Sequence, residues 1–164
     1  MIVLGVDPGL KATGYSLLKK KGDNIHLLEA GTIEPKQNDL VQNRIFKIYH
    51  NLDIIIQEYK PESLVLEKLY SHTKHPMTSS LLGQVRGVVC LICAQQKIEL
   101  IELSVKRVRK AITGNGNATK QQVRRLIAHH FDLKETVLKL DASDAAALAL
   151  GYLQMHMLDS RLKI

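Results

Sequence analysis

Tryptophan is missing from this 164-residue sequence, and only two phenylalanines and five tyrosines are present. A surface that grips single strands by stacking one base after another needs more rings than that. Cysteine is scarce as well. Cys90 and Cys93 fall inside an apolar helical pattern with no second ligand pair in view. They read as two buried thiols of a reduced compartment, the cytoplasm, rather than as a metal or redox motif. Long apolar runs are also lacking: the longest lies around "GVVCLICA", far short of a bilayer span. The first residues carry no basic stretch ahead of their apolar run and no small-residue cleavage site, so no secretory signal is expected. No repeat, low-complexity tract or long linker divides the chain, and residues 1–164 are expected to form one domain.

Acid is absent from one stretch in particular. From Ser104 to Arg125, "SVKRVRKAITGNGNATKQQVRR" holds Lys106, Arg107, Arg109, Lys110, Lys120, Arg124 and Arg125 and not one Asp or Glu. Those seven charges equal the whole formal net charge of +7, so the rest of the chain balances. Charge so concentrated points to a polyanion-binding face, although two solvated helices with ordinary surface lysines give the same pattern.

The remaining sequence alternates between strand and helix patterns. "MIVLGV" reads as a strand apolar on both faces, with Ile2, Leu4 and Val6 on one side and Val3 on the other. "GYSLLKK" and "NIHLLEAGTIEP" follow as strands, and the short "KGDN" between them predicts an antiparallel hairpin. The spacing of Leu40, Ile45, Ile48, Leu52, Ile55 and Ile56 predicts a helix to Tyr59, closed by Pro61. "SLVLEKL" is a fourth strand, Met77 to Gln96 an apolar helix and "IELIEL" a fifth strand. Two basic helices flank the turn signal "TGNGNAT", and "DASDAAALALGYLQMHML" is a final alanine-rich helix apolar on most faces. The fold class is α/β: a mixed sheet flanked by helices.

Four acids break these patterns. Asp7 ends a strand that otherwise looks fully buried, and Glu67 does the same on the face of Val65 and Leu69. Asp141 and Asp144 stand three apart at the mouth of the last helix, near one face of it. Each has a plain structural reading. Asp-Pro-Gly is a turn signature, and Asp141 with Asp144 makes a variant capping box. Glu67 is harder to place, because no basic partner at strand spacing faces it. Together the four can converge at one edge of the sheet, where their charge calls for divalent cations. Oxygen-only ligands favour Mg²⁺ or Mn²⁺ over zinc. Two such ions roughly 4 Å apart can activate water and stabilise a leaving oxygen in phosphodiester displacement. An acidic metal site beside a basic surface is what cutting a polyanion requires.

"GVDPGLKATGYSLL", "LVLEKLY", "LLGQVRGV", "VRKAITGNGNATKQQV" and "LDASDAAALALG", in this order, resemble the RuvC-type crossover junction endodeoxyribonucleases, the bacterial Holliday-junction resolvases. The resemblance spans nearly the whole chain. It implies an RNase H-like fold, with a five-stranded mixed sheet whose first three strands are antiparallel. It implies a homodimer that nicks two opposed strands of four-way junction DNA symmetrically, in recombination and repair, with a branch-migration helicase complex as a further partner and no membrane. By position, Asp7, Glu67, Asp141 and Asp144 match the family's catalytic carboxylates, which implies two Mg²⁺ ions per site with Mn²⁺ as a substitute. From its place at the end of a central strand, Asp7 is expected to bridge both ions, with Glu67 and Asp144 each holding one and Asp141 completing the set. Some relatives carry histidine where Asp141 stands.

Tyr70 matches an aromatic that contacts bases near the crossover in relatives; its plain reading is a half-buried aromatic ending a strand. Arg109 and Lys120 match basic positions of DNA binding and activity, one of them arginine where lysine is common. Lys106, Arg107, Lys110 and Arg124 are expected to join them on DNA. His72, Lys74 and His75 read as solvated loop residues rather than ligands. Gly83 and Gly87, four apart, let a helix approach closely, either in a two-fold seam or within the chain. The rival readings are a YqgF-like nuclease of the same fold acting on RNA, an actin-like or sugar-kinase phosphate-binding fold, which needs two such halves where 164 residues supply one, and a junction-binding module without activity.

Overall fold

A computed structural model describes residues 1–68, 76–134 and 136–161. Strands β1 (Ile2–Asp7), β2 (Thr13–Lys21) and β3 (Asn24–Ile33) are followed by helix α1 (Val41–Tyr59) and strand β4 (Ser63–Glu67). Helix α2 (Pro76–Gln96), strand β5 (Glu99–Leu103) and helices α3 (Val105–Thr113), α4 (Lys120–His130) and α5 (Leu140–Arg161) complete the order. The five strands form one sheet ordered β3-β2-β1-β4-β5. The first three run antiparallel, whereas β4 and β5 are parallel to β1. The expected mixed α/β sheet and its antiparallel start are both present.

Each face of the sheet has its own core, because every central strand is apolar on both sides. Leu4, Val6, Leu64 and Leu66 pack with Ile48, Leu52, Val85, Val89 and Ile92 of α1 and α2. Val3, Val65 and Leu103 pack on the opposite face with Val108, Val123 and Ile127 of α3 and α4 and with the alanines of α5. Asp7 and Glu67 follow the parity of Val3 and Val65, so both belong to the α5 face.

The helix boundaries follow local chemistry. Lys60 takes the left-handed conformation (φ 49°) and closes α1 ahead of Pro61. Gly114 does the same for α3 with φ 76°. Thr119 and Gln122 form a reciprocal capping box that starts α4 at Lys120. The α5 helix begins at Leu140, so Asp141 lies within its first turn rather than capping it, and it runs to Arg161, past the expected end at Leu158. With neither Gly nor Pro after Gly151, nothing local stops it sooner.

One expectation about the thiols is overturned. Cys93 is buried, and burial pushes its thiol up to about 11, but Cys90 is exposed. A three-residue step falls about 60° short of a full turn, enough to take Cys93 into the core and leave Cys90 outside it. Cys90 instead shares the outward side of α2 with Gly83 and Gly87, where an added Cβ meets nothing within 4 Å. Their close packing is therefore not with the described residues of the same chain.

Candidate active site

The four acids reach one edge of the sheet by three separate constraints. In the parallel ladder Val6 pairs with Leu66, so Asp7 and Glu67, one residue on, end neighbouring strands side by side. In the antiparallel ladder Asp7 pairs with Gly14. An ideal Cβ on Gly14 would lie 2.0 Å from the Asp141 carbonyl oxygen, and one on Gly5 would lie 2.0 Å from that of Ala145. The first two turns of α5 therefore rest on bare backbone at two glycines, and this brings Asp141 and Asp144 down beside Asp7. A glycine inside a strand is the sequence mark of such an approach, and this role of Gly5 and Gly14 was missed in the sequence.

The turn after Asp7 does not depend on its carboxylate. Thr13 Oγ1 donates to the Gly9 carbonyl at 2.8 Å and accepts from the Gly9 N–H at 3.3 Å, which closes the Asp-Pro-Gly loop. Asp7 is left for another purpose. Its pKa is pushed from 3.8 to about 7, first by burial and next by the charge of Asp144, with Asp141 and Glu67 adding and Lys120 acting against them. Glu67 is raised as well, chiefly by burial, with Lys120, Arg109 and Arg86 pulling the other way and Asp144 adding to the rise.

Lys120, the first residue of α4, is the principal counter-charge. Its ammonium donates to Asp144 Oδ2 at 2.7 Å, and its own pKa is raised by that bond and further by Asp7 and Glu67. A cleft of about 150 Å³ opens here, lined by Glu67, Asp144, Lys120 and Arg109 above apolar Val105, Val108 and Val123. Among the described residues, no three His, Cys, Asp or Glu side chains stand close enough to enclose a cation as they are placed. One ammonium thus answers several carboxylates, and Asp7 keeps a strongly raised pKa beside it. An oxygen-only set with that surplus of negative charge suits a hard divalent cation.

The other basic residues divide into two groups. Lys106, Arg107 and Lys110 are exposed on α3, the helix whose Val105, Val108 and Arg109 line the cleft. Arg124 is half-buried and donates to the Leu138 carbonyl at 3.1 Å, which braces the chain entering α5. Tyr70, His72, Lys74 and His75 lie outside the described residues. A residue overlooked in the sequence is Arg86 of α2, only 9% exposed, whose guanidinium donates to the Glu67 carbonyl at 2.6 Å. Its one visible signal was a charge on the inward side of an apolar helix.

A family model described as crossover junction endodeoxyribonuclease RuvC matches residues 3–152. The chain belongs to the RuvC family. It is similar to RuvC of Rhodopirellula baltica, 33% identical over 162 residues that cover 98% of this chain and 91% of the relative. It is likewise similar to RuvC of Prosthecochloris aestuarii, 37% identical over 150 residues, 92% of this chain and 80% of the relative. Among solved structures it resembles Thermus thermophilus RuvC, with a TM-score of 0.87, 20% identity and 97% of both chains covered. It also resembles Thermus thermophilus RuvC in complex with a Holliday junction substrate, with a TM-score of 0.86, 18% identity and 96% of both chains covered. At those identities the likeness is one of fold: the five-stranded mixed sheet, its antiparallel start and its flanking helices are shared.

Proposed function

We propose that this chain, acting as one nuclease domain, resolves four-way DNA junctions by paired symmetric nicks. The observation that supports this chemistry is that strand register and the two glycines under α5 bring Asp7, Glu67, Asp141 and Asp144 to one sheet edge, where the other three carboxylates all raise the pKa of Asp7. Membership of the RuvC family supplies the substrate class.

These four carboxylates would hold two Mg²⁺ ions, with Mn²⁺ as a substitute. Bound there, such ions lower the pKa of a water and stabilise the leaving oxygen of a phosphodiester. The chain's own residues do the rest. Lys120 and Arg109 stand at the mouth of the cleft and present positive charge to a phosphate entering beside the acids. Lys106, Arg107 and Lys110 extend that charge along α3, where they fix the register of the DNA rather than its sequence. Glu67, Val108 and Val123 wall the cleft, so a phosphate seated there loses part of its water and feels the nearby charges more strongly.

A homodimer suits a substrate with two-fold symmetry, and the outward side of α2 supports one. Gly83 and Gly87 leave open space there, and Leu91 is 51% exposed beside them. Among the described residues no helix is long and apolar enough to cross a membrane, which accords with work on DNA in the cytoplasm, where a branch-migration helicase complex would present the junction. The test is a cleavage assay on a four-way junction, a linear duplex and structured RNA, with and without Mg²⁺. Cutting confined to the junction and to Mg²⁺ is the expected result. Preferential cutting of RNA would favour a YqgF-like activity, and binding without cutting would leave only a junction-binding module.

A further inference from the structure

We infer that Arg86 is a positioning residue that fixes the end of β4, and with it the Glu67 carboxylate, from the opposite face of the sheet. The inference rests on Glu67 serving as a cation-holding carboxylate. Arg86 does not itself line the cleft and reaches it through the main chain of Glu67. It sits in α2 between Val85 and Val89, both fully buried in the core that α2 shares with α1. A guanidinium in such a place is costly unless it finds acceptors. It finds two, on two different strands. One terminal nitrogen donates to the main-chain carbonyl of Glu67, and the other pairs with the Glu102 carboxylate of β5.

The strand end needs such a hold. The register of β1 with β4 ends at Val6 and Leu66, so Glu67 lies beyond that ladder and is paired on the β5 side alone, with Leu103. On the β5 side the Lys68 N–H donates to the Leu103 carbonyl at 2.8 Å. Arg86 supplies the second tie, at the carbonyl of Glu67 itself. Both acceptors lie where a planar fork reaches them together, which a lysine ammonium cannot reproduce with the same geometry. The Glu67 side chain projects to the other face, toward Asp144 and Lys120. Cation sites lose affinity when a ligand's support is loosened, even if the ligand itself remains. The pair is not needed to fill space, since apolar groups of similar volume often replace buried ion pairs without loss of stability.

The test compares Arg86→Met combined with Glu102→Gln, Arg86→Lys, and Glu67→Gln with the full-length protein. Mn²⁺ binding to the free protein is read by calorimetry, junction binding without metal by gel shift, and folding by thermal melting. The double variant is expected to melt within a few degrees of the parent and to bind junctions equally well. Its Mn²⁺ affinity is expected to fall by roughly tenfold or more. Arg86→Lys, which keeps the charge and loses the fork, is expected to recover only part of that affinity. A folded double variant with the parent's Mn²⁺ isotherm overturns the inference. So does full recovery by lysine, which would mean that charge near Glu67 matters and placement does not. If the double variant fails to fold, Arg86→Lys decides alone by the same criterion. Glu67→Gln separates the two levels: normal Mn²⁺ binding there would remove Glu67 from the site and leave Arg86 nothing to position.

Discussion

Lys120 and Asp144 form a 2.7 Å ion pair across the mouth of the cleft, bridging helices whose residues are 24 positions apart. The ammonium stands where positive charge is needed, so it competes with any cation that Asp144 would hold. Lys120→Met is therefore expected to bind Mn²⁺ more tightly than the parent in the absence of DNA, by calorimetry. The same variant should bind junctions with a log–log salt slope smaller by about 0.9, one phosphate contact fewer. Unchanged Mn²⁺ affinity would show that the pair does not guard the site.

Gly14 carries the approach of α5. A methyl group there would fall 2.0 Å from the Asp141 carbonyl oxygen, a backbone atom that moves only with the helix. Gly14→Ala is expected to cost about 2–3 kcal/mol in denaturant unfolding, as other overpacked cores do, and to reduce cleavage out of proportion to that loss. Cleavage at the parent's rate in a folded variant would show that the height of α5 does not set the site.

Asp7 makes the cation-free protein sensitive to pH. Burial, followed by the charge of Asp144, raises its pKa from 3.8 to about 7 in the folded state. Folding therefore favours the protonated acid, and stability is lost as pH climbs from about 4 to about 7, then levels off. Asp7→Asn removes this dependence. Without metal, the variant should melt above the parent at pH 8, by about 3 °C for each kcal/mol relieved, and level with it near pH 4. Equal melting at pH 8 would mean that Asp7 is not held against its own charge.

Leu91 is 51% exposed on the side of α2 where Gly83 and Gly87 meet nothing. At micromolar concentration the parent is expected to sediment as a dimer and Leu91→Glu as a folded monomer. A monomeric parent, or a variant that still pairs, would place the two-fold axis elsewhere.

Much of this was legible in the sequence, for reasons that can be named. Val3, Leu4 and Val6 marked β1 as central because both faces were apolar, and the hairpin between β2 and β3 followed from a four-residue connection. Asp7 and Glu67 stood out because charge is costly at the end of such strands. What the sequence did not carry was which helix lies across which strand. Gly5 and Gly14 act through an absent Cβ, and the absence has meaning only once α5 is above them. Arg86 sat in an apolar helix with its two acceptors 19 residues before it and 16 after it. No periodicity links those positions. Cys90 was read as buried because its neighbours are apolar, but its angular position on α2 turns it outward.

Asp7→Asn, assayed on a four-way junction in Mg²⁺ with binding measured alongside, weighs the proposed site as a whole. Junction cleavage should drop below detection while affinity for the junction holds or rises, because a repelling charge beside the phosphate is gone. A variant that binds and still cuts at the parent's rate would mean that these four acids are not where the strand is broken.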